Sequence, residues 1–316
     1  MLRFKKVFAI IGASIFTLAI TACSASTKTE GSSKQALNFG AMSSIDVVPM
    51  IIAEEKGYFK DEGLEFNLQT FKSAKDRDAA FQAGSLDGII GDEVAICLYQ
   101  NADFDAKITG ITDGDFMLVA GADSGVKSVA DLKGKSVAIS EKTAIEYTLD
   151  KILENNSMKP EDVSKAAVPA MPTRLEMLRN NNVAAALLPE PFSSLAINDG
   201  GILLGNASTL AGYPSITAFT QKAIDGKGDE IKAFYRAYNK AVDYINSNPI
   251  SEYEDTIIRT VGFPDDMKGK ITLPEFRKNA LPSEAEVKSA IDWVTSNGLI
   301  TKTLTPADML SDIGVK

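Results

Sequence analysis

The chain has 316 residues, with 33 Lys and Arg against 42 Asp and Glu and no His, so its formal net charge is −9. Hydrophobic and charged fractions of 45% and 24% are those of a globular protein, and the length allows two lobes or one large domain. The missing His excludes Ser-His-Asp triads, Cys-His dyads and His-ligated zinc, and two Cys cannot build a disulfide framework. The acidic balance disfavours nucleic acid as a partner.

The first 22 residues have the pattern of a secretion signal. Three basic residues precede the uncharged stretch 7–22, which is shorter than the roughly 20 residues of a membrane span and typical of a signal peptide. The stretch ends at Ile20-Thr21-Ala22-Cys23, which resembles the lipobox of bacterial lipoproteins. The resemblance implies cleavage before Cys23 and lipid on that residue, which would anchor an extracytoplasmic protein to the membrane. A plain secretory peptide and an uncleaved anchor are the alternatives.

After a polar segment at 23–35, which we interpret as a flexible tether, strand and helix patterns alternate and predict α/β architecture. The predicted strands are 36–40, 64–71, 87–90, 108–111, 116–121, 136–140, 183–188 and 216–220, and the predicted helices are 46–56, 74–83, 92–101, a short one at 128–133, and 143–155. After residue 222 the pattern is mostly helical. Ser283 and Glu286 form a capping box, and Thr305-Pro306 begin the last short helix.

Four short stretches, in the same order along the chain, resemble one protein family. They are AEEKGYFKDEGLE at 53–65, FQAGSLDG at 81–88, VADLKGKSVA at 129–138 and LPEPF at 188–192. Each is similar to a motif of the solute-binding proteins of ABC importers, in the nitrate/sulfonate/thiamine-precursor branch known as the NMT1/SsuA-like group.

The resemblance implies a two-lobed type II periplasmic-binding-protein fold, with a mixed central sheet flanked by helices in each lobe and a ligand cleft between the lobes. We expect the chain to cross between lobes near 120–123 and 212–215. The first lobe would then comprise 36–121 and 216–316, and the second lobe 122–215. The implied function is capture of a small solute by hinge closure, for delivery to an ABC permease and its ATPase. The expected protein is a monomer that uses no cofactor or metal and is not an enzyme.

Ligands of open α/β sheets bind outside the carboxyl ends of the strands, where helix N-termini present free N–H groups. The predicted strand-to-helix junctions therefore supply the candidate ligand-binding residues, which are Ser43, Ser44, Asp46, Ser73, Asp92, Glu93, Thr143, Ala144 and Glu190. Several of these are equally good helix caps or complements of a helix dipole. Glu190 follows a buried strand and lies between two prolines, so we interpret it as a site residue and not as a cap.

The charge balance at these junctions bears on the ligand, because carboxylates outnumber lysines there. A carboxylate accepts hydrogen bonds from amine and ring N–H groups, so the balance favours a small nitrogenous solute such as an aminopyrimidine of the thiamine-precursor kind. A sulfonate-, taurine- or nitrate-type anion is the alternative. An enzyme on the same fold and a lipid-anchored interaction module also stay open. Cys97 lies in an apolar run, which indicates a buried structural thiol.

Overall fold

The computed structural model describes residues 35–210 and 213–316, which form ten β-strands and twelve α-helices. The strands are β1 (Leu37–Met42), β2 (Phe66–Phe71), β3 (Gly88–Asp92), β4 (Ala106–Ile111), β5 (Phe116–Ala120), β6 (Ser136–Ile139), β7 (Ser164–Ala167), β8 (Ala185–Pro189), β9 (Ile202–Asn206) and β10 (Ser215–Thr220). The helices are α1 (Val48–Glu55), α2 (Tyr58–Asp61), α3 (Ala74–Gln82), α4 (Glu93–Asn101), α5 (Ala144–Asn155), α6 (Met171–Arg179), α7 (Phe192–Asn198), α8 (Gln221–Gly226), α9 (Gly228–Ser247), α10 (Glu254–Ile257), α11 (Glu284–Ser296) and α12 (Pro306–Met309). The predicted signal peptide 1–22, the lipid-anchor residue Cys23, nearly all of the tether and Gly212 of the second predicted crossing lie outside the described residues.

The first sheet has the strand order β2-β1-β3-β10-β4. β1 pairs in parallel with β2, in a register that runs from Leu37 opposite Phe66 to Met42 opposite Phe71, and also with β3. β10 is antiparallel to both β3 and β4. The sheet is therefore mixed, with one antiparallel strand inserted beside the edge.

The second sheet repeats this pattern with the order β7-β6-β8-β5-β9. β6 is parallel to β7 and β8, and β5 is antiparallel to β8 and β9. We refer to each sheet with the helices packed on it as the first and the second lobe. The two mixed sheets flanked by helices confirm the predicted fold class.

The strand at 116–120 corrects one predicted boundary, because it was expected in the first lobe. It is β5 of the second sheet, so the chain leaves the first sheet between Ile111 and Phe116 and not near 120–123. The physical reason is that β5 is a buried strand with partners on both sides, and an apolar pattern alone does not say which sheet supplies them. The chain returns to the first sheet between Asn206 and Ser215.

Both sheets are covered on two faces, as the alternation of their side chains shows. In β8, Ala185 and Leu187 join one hydrophobic cluster, while Ala186 and Leu188 join another on the opposite face. In β10, Phe219 and Ile216 likewise belong to different clusters. Because successive side chains of a strand point to opposite faces, this pattern requires apolar layers on both sides of each sheet.

The C-terminal third of the chain belongs to the first lobe. Helix α9 packs against α1 and α2, helix α11 packs against α4, and α12 packs against β4. The predicted capping box is confirmed, since Ser283 Oγ accepts from the Glu286 N–H at 3.2 Å and Glu286 Oε2 accepts from the Ser283 N–H at 2.7 Å. No helix in the described part of the chain is both long and apolar enough to cross a membrane.

The sequence pattern did not predict β7, β9, α6 or α7. The two strands are sheet edges, and the four residues of β7, Ser-Lys-Ala-Ala, are partly exposed. An edge strand with small and polar side chains, such as β7, lacks the alternation of apolar residues from which a strand is predicted.

Candidate functional site

A small cavity lies between the two lobes at the ends of their strands. Its volume is about 60 Å³, the space of about two water molecules. It is lined by the carboxyl ends of the parallel strands β1, β3 and β8 and by the starts of the antiparallel strands β5 and β10. This is the edge of an open α/β sheet at which ligands bind.

On the first-lobe wall, the carboxylate of Asp46 is buried and fully engaged by protein hydroxyls. Ser44 Oγ donates to Asp46 Oδ1 at 3.0 Å, and the hydroxyls of Tyr213 and Thr112 donate to Oδ2 at 2.9 and 3.4 Å. Burial raises the pKa of Asp46, and these donors partly offset the effect. A Cβ atom at Gly114 would lie 2.6 Å from Asp46 Oδ1. Asp46 is therefore held by the two segments that connect the sheets.

Asp92, the second carboxylate of this wall, is the N-cap of α4. Its Oδ1 accepts a hydrogen bond from the Ala95 N–H at 2.8 Å. Burial raises the pKa of Asp92 to about 6, while the Arg77 charge and the Ala95 and Ala144 N–H groups act in the opposite direction. Ala144 is in the second lobe, so Asp92 faces the start of α5 across the cavity.

Arg77, near Asp92, is buried and ion-paired within the first lobe. Its Nη1 donates to the Ile90 carbonyl at 2.8 Å, and Nε and Nη2 donate to Asp78 Oδ1 at 2.9 and 2.7 Å. Burial alone would lower the pKa of Arg77, but the Asp78 carboxylate raises it above its ordinary value. The first lobe thus supplies the counter-ion for its own buried guanidinium.

The second-lobe wall begins with the N-terminus of α5. Thr143 is the N-cap; its hydroxyl donates to the Ser140 carbonyl at 2.8 Å and accepts from the Ile145 N–H at 3.2 Å. Thr143, Ala144 and Ile145 all line the cavity. The first turn of a helix carries a partial positive charge, so this part of the wall suits an anion.

Arg174 of α6 completes the second-lobe wall. Only 1% of the residue is exposed, yet its partners are three backbone carbonyls, of Leu187 at 2.5 Å, Val168 at 3.1 Å and Pro169 at 3.3 Å. Within residues 35–210 and 213–316 no carboxylate is paired with it, and burial lowers the pKa of Arg174 to about 10. The guanidinium lines the cavity. Three N–H···O contacts leave two of its five N–H donors unused.

The structure places some of the predicted site residues at the cavity and others away from it. Those that line it are Ser44, Asp46, Asp92, Thr143 and Ala144; Ser43, Ser73, Glu93 and Glu190 are not among its lining residues. Ser73 caps α3 by accepting from the Asp76 N–H at 3.2 Å. Glu93 is buried, and burial raises its pKa to about 8. A ligand-binding role of any of these residues stays a prediction.

The expectation that Glu190 is not needed as a cap is wrong. Its carboxylate accepts from the Ser194 N–H at 3.2 Å and from Ser194 Oγ at 2.7 Å. Ser194 is in the first turn of α7, so the carboxylate satisfies the start of that helix. The neighbouring Pro189 lines the cavity in its place.

Arg174 was not among the predicted site residues, although the sequence contains a signal for it. Met171, Arg174, Leu175 and Leu178 have the i, i+3, i+4, i+7 spacing of one buried helix face. A charged residue on an apolar face must find partners inside the protein or bind a ligand. The apolar face of this helix therefore marks Arg174 as a candidate site residue.

The sequence model described as NMT1/THI5 like matches residues 44–252, about two thirds of the chain. The chain belongs to the NMT1/THI5-like family. Membership confirms the resemblance carried by the four sequence stretches.

Known relatives of this family member agree on its fold. A putative aliphatic sulfonates-binding protein of Bacillus subtilis (strain 168) is 28% identical over 250 residues, which cover 75% of this chain and 73% of the relative. The alkanesulfonate-binding protein SsuA of Xanthomonas axonopodis pv. citri, solved bound to MOPS, superposes with a TM-score of 0.76 at 16% identity, over 88% of this chain and 99% of its own. The desulfurization enzyme DSZB superposes with a TM-score of 0.65 at 13% identity, over 89% and 98% of the two chains. The fold is therefore that of periplasmic binding proteins, and it also occurs in an enzyme.

Cys97 is not part of the cavity of this NMT1/THI5-like protein. It is buried in the first lobe, with Sγ 3.6 Å from Met309 Sδ. Burial raises the pKa of the Cys97 thiol well above its ordinary value, so the thiol is poorly suited to act as a nucleophile. Among the described residues, no cluster of three or more acidic or Cys side chains is arranged to hold a metal ion.

Proposed function

We propose that this protein is the solute-binding component of an ABC importer and that it captures a small organic anion of the sulfonate class between its lobes. The observation that carries the proposal is Arg174, a buried guanidinium at the cavity that has three carbonyl partners and, among the residues that the structure describes, no carboxylate. A buried charge is costly unless it is paired. An anionic head group would supply the missing charge and accept the unused N–H donors.

The N-terminus of α5 supports the same ligand class. Ala144 and Ile145 line the cavity together with Arg174, so the first turn of a helix and a guanidinium border one space. Helix N-termini bind anions, and the arginine guanidinium matches the geometry of an oxyanion.

The carboxylates that favoured a nitrogenous solute have donors within the protein. Asp46 accepts from three hydroxyls, Asp92 caps α4, and Glu190 binds Ser194. An amine would therefore compete with existing donors and would lie beside the positive charge of Arg174. The aminopyrimidine stays an outcome to be tested, and the sulfonate-binding names of the relatives from Bacillus subtilis and Xanthomonas axonopodis are consistent with an anion.

The cavity size indicates how a solute would enter. A volume of about 60 Å³ holds a head group, whereas most ligand pockets enclose about 300–1,000 Å³. We infer that the lobes move apart about the two connecting segments to admit the solute, and that the solute stabilises the closed form by binding it better.

The closed form would be what the permease and its ATPase recognise. We also propose that the mature protein begins at Cys23 and is held at the outer face of the cell membrane by lipid on that residue. The support is the basic start, the short apolar stretch and the lipobox-like residues in the sequence; more than one acyl chain is needed for stable anchoring.

Titration calorimetry with butanesulfonate, taurine, nitrate and an aminopyrimidine tests the proposal. We expect an anion to bind and Arg174→Gln to weaken its binding about 30-fold, about 2 kcal/mol, because a charged hydrogen bond is lost. Arg179→Gln is the matched control, since Arg179 is in the same helix but pairs with Glu176 and Asp199 at the surface. It should change the affinity less than twofold.

Binding of the aminopyrimidine with no response to any anion would overturn the sulfonate assignment. Unchanged anion binding by a folded Arg174→Gln protein would remove Arg174 from the site. Mass spectrometry of the recovered solute separates transport from catalysis, because a binding protein returns it chemically unchanged.

A further inference from the structure

Tyr147 is in the second lobe but is buried in the core of the first. It lies in α5, one turn after the cavity-lining residues, and only 8% of it is exposed. The hydrophobic cluster that contains it is otherwise made of first-lobe residues from β3, α4, β10, α11 and their neighbours. One aromatic side chain therefore crosses the boundary between the lobes.

The ring and hydroxyl of Tyr147 both contact helix α11. The ring meets the Trp293 indole edge to face, with centroids 5.8 Å apart and planes at 89°. The Tyr147 hydroxyl lies 2.9 Å from Ser289 Oγ, within hydrogen-bond distance. Edge-to-face aromatic pairs are attractive beyond the area that they bury.

Asp150, the next residue of α5 on this side, adds a polar contact to the same partner. The Trp293 Nε1–H donates to Asp150 Oδ2 at 3.1 Å. Asp150 Oδ1 is 2.7 Å from Lys165 Nζ, and Lys165 also pairs with Glu146 at 2.8 Å. The acceptor for the indole is thus a buried carboxylate that is ion-paired within the second lobe.

These contacts fix the start of α5 relative to the first lobe. Thr143 to Ile145 line the cavity, and Tyr147 and Asp150 of the same helix bind α11, which packs on α4. Moving the lobes apart would withdraw the Tyr147 ring from its cluster and break the bond from Trp293 to Asp150. The first change exposes an apolar ring to water, and the second leaves the Trp293 indole N–H and the Asp150 carboxylate without their hydrogen bond.

We propose that Tyr147, Asp150 and Trp293 form a latch between the lobes that stabilises the closed form, and so set ligand affinity and residence time from outside the cavity. The latch rests on the hinge closure proposed above. Its effect on the ligand is expected in the dissociation rate, because the latch must open before the solute leaves. None of its three side chains needs to touch the solute.

Small-angle X-ray scattering of the ligand-free protein tests the latch without any ligand. We expect Tyr147→Ala to have a larger radius of gyration than wild type. Tyr244→Ala is the matched control, because Tyr244 contacts Tyr253, Lys56 and Glu252, all in the first lobe. It should leave the radius of gyration unchanged. Equal radii for wild type and a folded Tyr147→Ala would overturn the proposal.

Stopped-flow release of butanesulfonate provides the second readout. Tyr147→Ala should release it about tenfold faster with little change in association rate, and Tyr147→Phe, which keeps the ring, should release it about twofold faster. An unchanged release rate in Tyr147→Ala would contradict the latch. If butanesulfonate does not bind at all, the sulfonate assignment fails while the scattering result still decides the latch.

The single tryptophan of the sequence is a built-in reporter. Trp293 is 5% exposed, so ligand-free wild type should show the blue-shifted emission of a buried indole and weak quenching by acrylamide. Emission typical of a solvated indole in ligand-free wild type would show that the latch is open without solute, and would overturn the proposal.

Discussion

Arg77 and Arg174 occupy equivalent places in the two lobes. Each is three residues after the first residue of a helix, α3 or α6, that follows an edge strand. Each donates from Nη1 to the carbonyl of a residue 13 positions later, Ile90 or Leu187, in the third parallel strand of its sheet. The next residue differs, since it is Asp78 after Arg77 and Leu175 after Arg174.

This difference separates two tasks of a buried arginine. Both guanidinium groups bind a strand carbonyl, which explains why an arginine is buried at this place in each lobe. It does not explain why Arg174 has no counter-ion within the described part of the chain. Asp78 neutralises Arg77 inside the first lobe, whereas the guanidinium at the second-lobe wall faces a cavity. We infer that the charge of Arg174 in the second lobe is available to bind the solute.

The largest effect is expected from making Arg77 resemble Arg174. Asp78→Asn removes the carboxylate and leaves a guanidinium that is almost fully buried without its partner. We expect the free energy of unfolding to fall by about 2 kcal/mol, less than for a completely buried pair because Asp78 is partly exposed. Urea unfolding at pH 7 measures the change.

Glu176→Gln is the control for that experiment, because it breaks a surface pair with Arg179 in the equivalent helix. Exposed pairs contribute little, so the loss should stay below about 0.5 kcal/mol. Equal losses in the two variants would mean that burial does not distinguish these arginines.

A smaller effect is expected from the pH dependence of Asp92. Its pKa is about 6 in the folded protein against an ordinary value of 3.8, so the folded state takes up a proton first as the pH falls. This group therefore stabilises the fold fully below pH 4, and its contribution is lost as the pH rises through 6. Relative to Asp92→Asn, wild type should gain about 1 kcal/mol between pH 7 and pH 5.

Asn is also a good N-cap, so the substitution should keep α4 intact. Urea unfolding of both proteins at pH 5, 6 and 7 gives the comparison. Parallel stability curves would show that the Arg77 charge and the Ala95 and Ala144 amides fully offset the burial of Asp92 and keep its pKa near the ordinary value.

The smallest effect is expected at Glu190. Its carboxylate is engaged by Ser194, so Glu190→Gln should change the Kd for butanesulfonate less than twofold and lower stability by about 0.5 kcal/mol through the start of α7. Calorimetry measures the first and thermal unfolding the second. A tenfold loss of affinity for an amine would instead return Glu190 to the site and favour the nitrogenous solute.

Features set by neighbouring residues were predictable from the sequence. The Ser283–Glu286 capping box spans three positions, and the run at 183–188 corresponds to a strand that is buried on both faces. The junction positions Ser44, Asp92 and Thr143 lie at the cavity because a strand-to-helix turn is itself a local pattern. Short patterns of neighbouring residues were sufficient to predict these features.

Features set by distant partners, or by a helix without a clear sequence pattern, were not predictable. Asp46 is held by Thr112 and Tyr213, which are 66 and 167 positions away. The partner of Glu190 is four residues further on, in a helix that the sequence pattern did not reveal. The sequence therefore indicated carboxylates without partners at the junctions, whereas the folded protein supplies hydrogen-bond donors to Asp46 and Glu190.

The inserted antiparallel strands also set the order in which the lobes can be completed. Every strand of the second sheet lies between residues 116 and 206, whereas β4 of the first sheet finds its neighbouring strand only in β10, at 215–220. When the chain is made from its N-terminus, all strands of the second sheet are therefore complete before the first sheet is. The neighbouring strand of β4 follows more than a hundred residues downstream. A chain cut before Ser215 would retain every strand of the second sheet and leave the first without its closing pair.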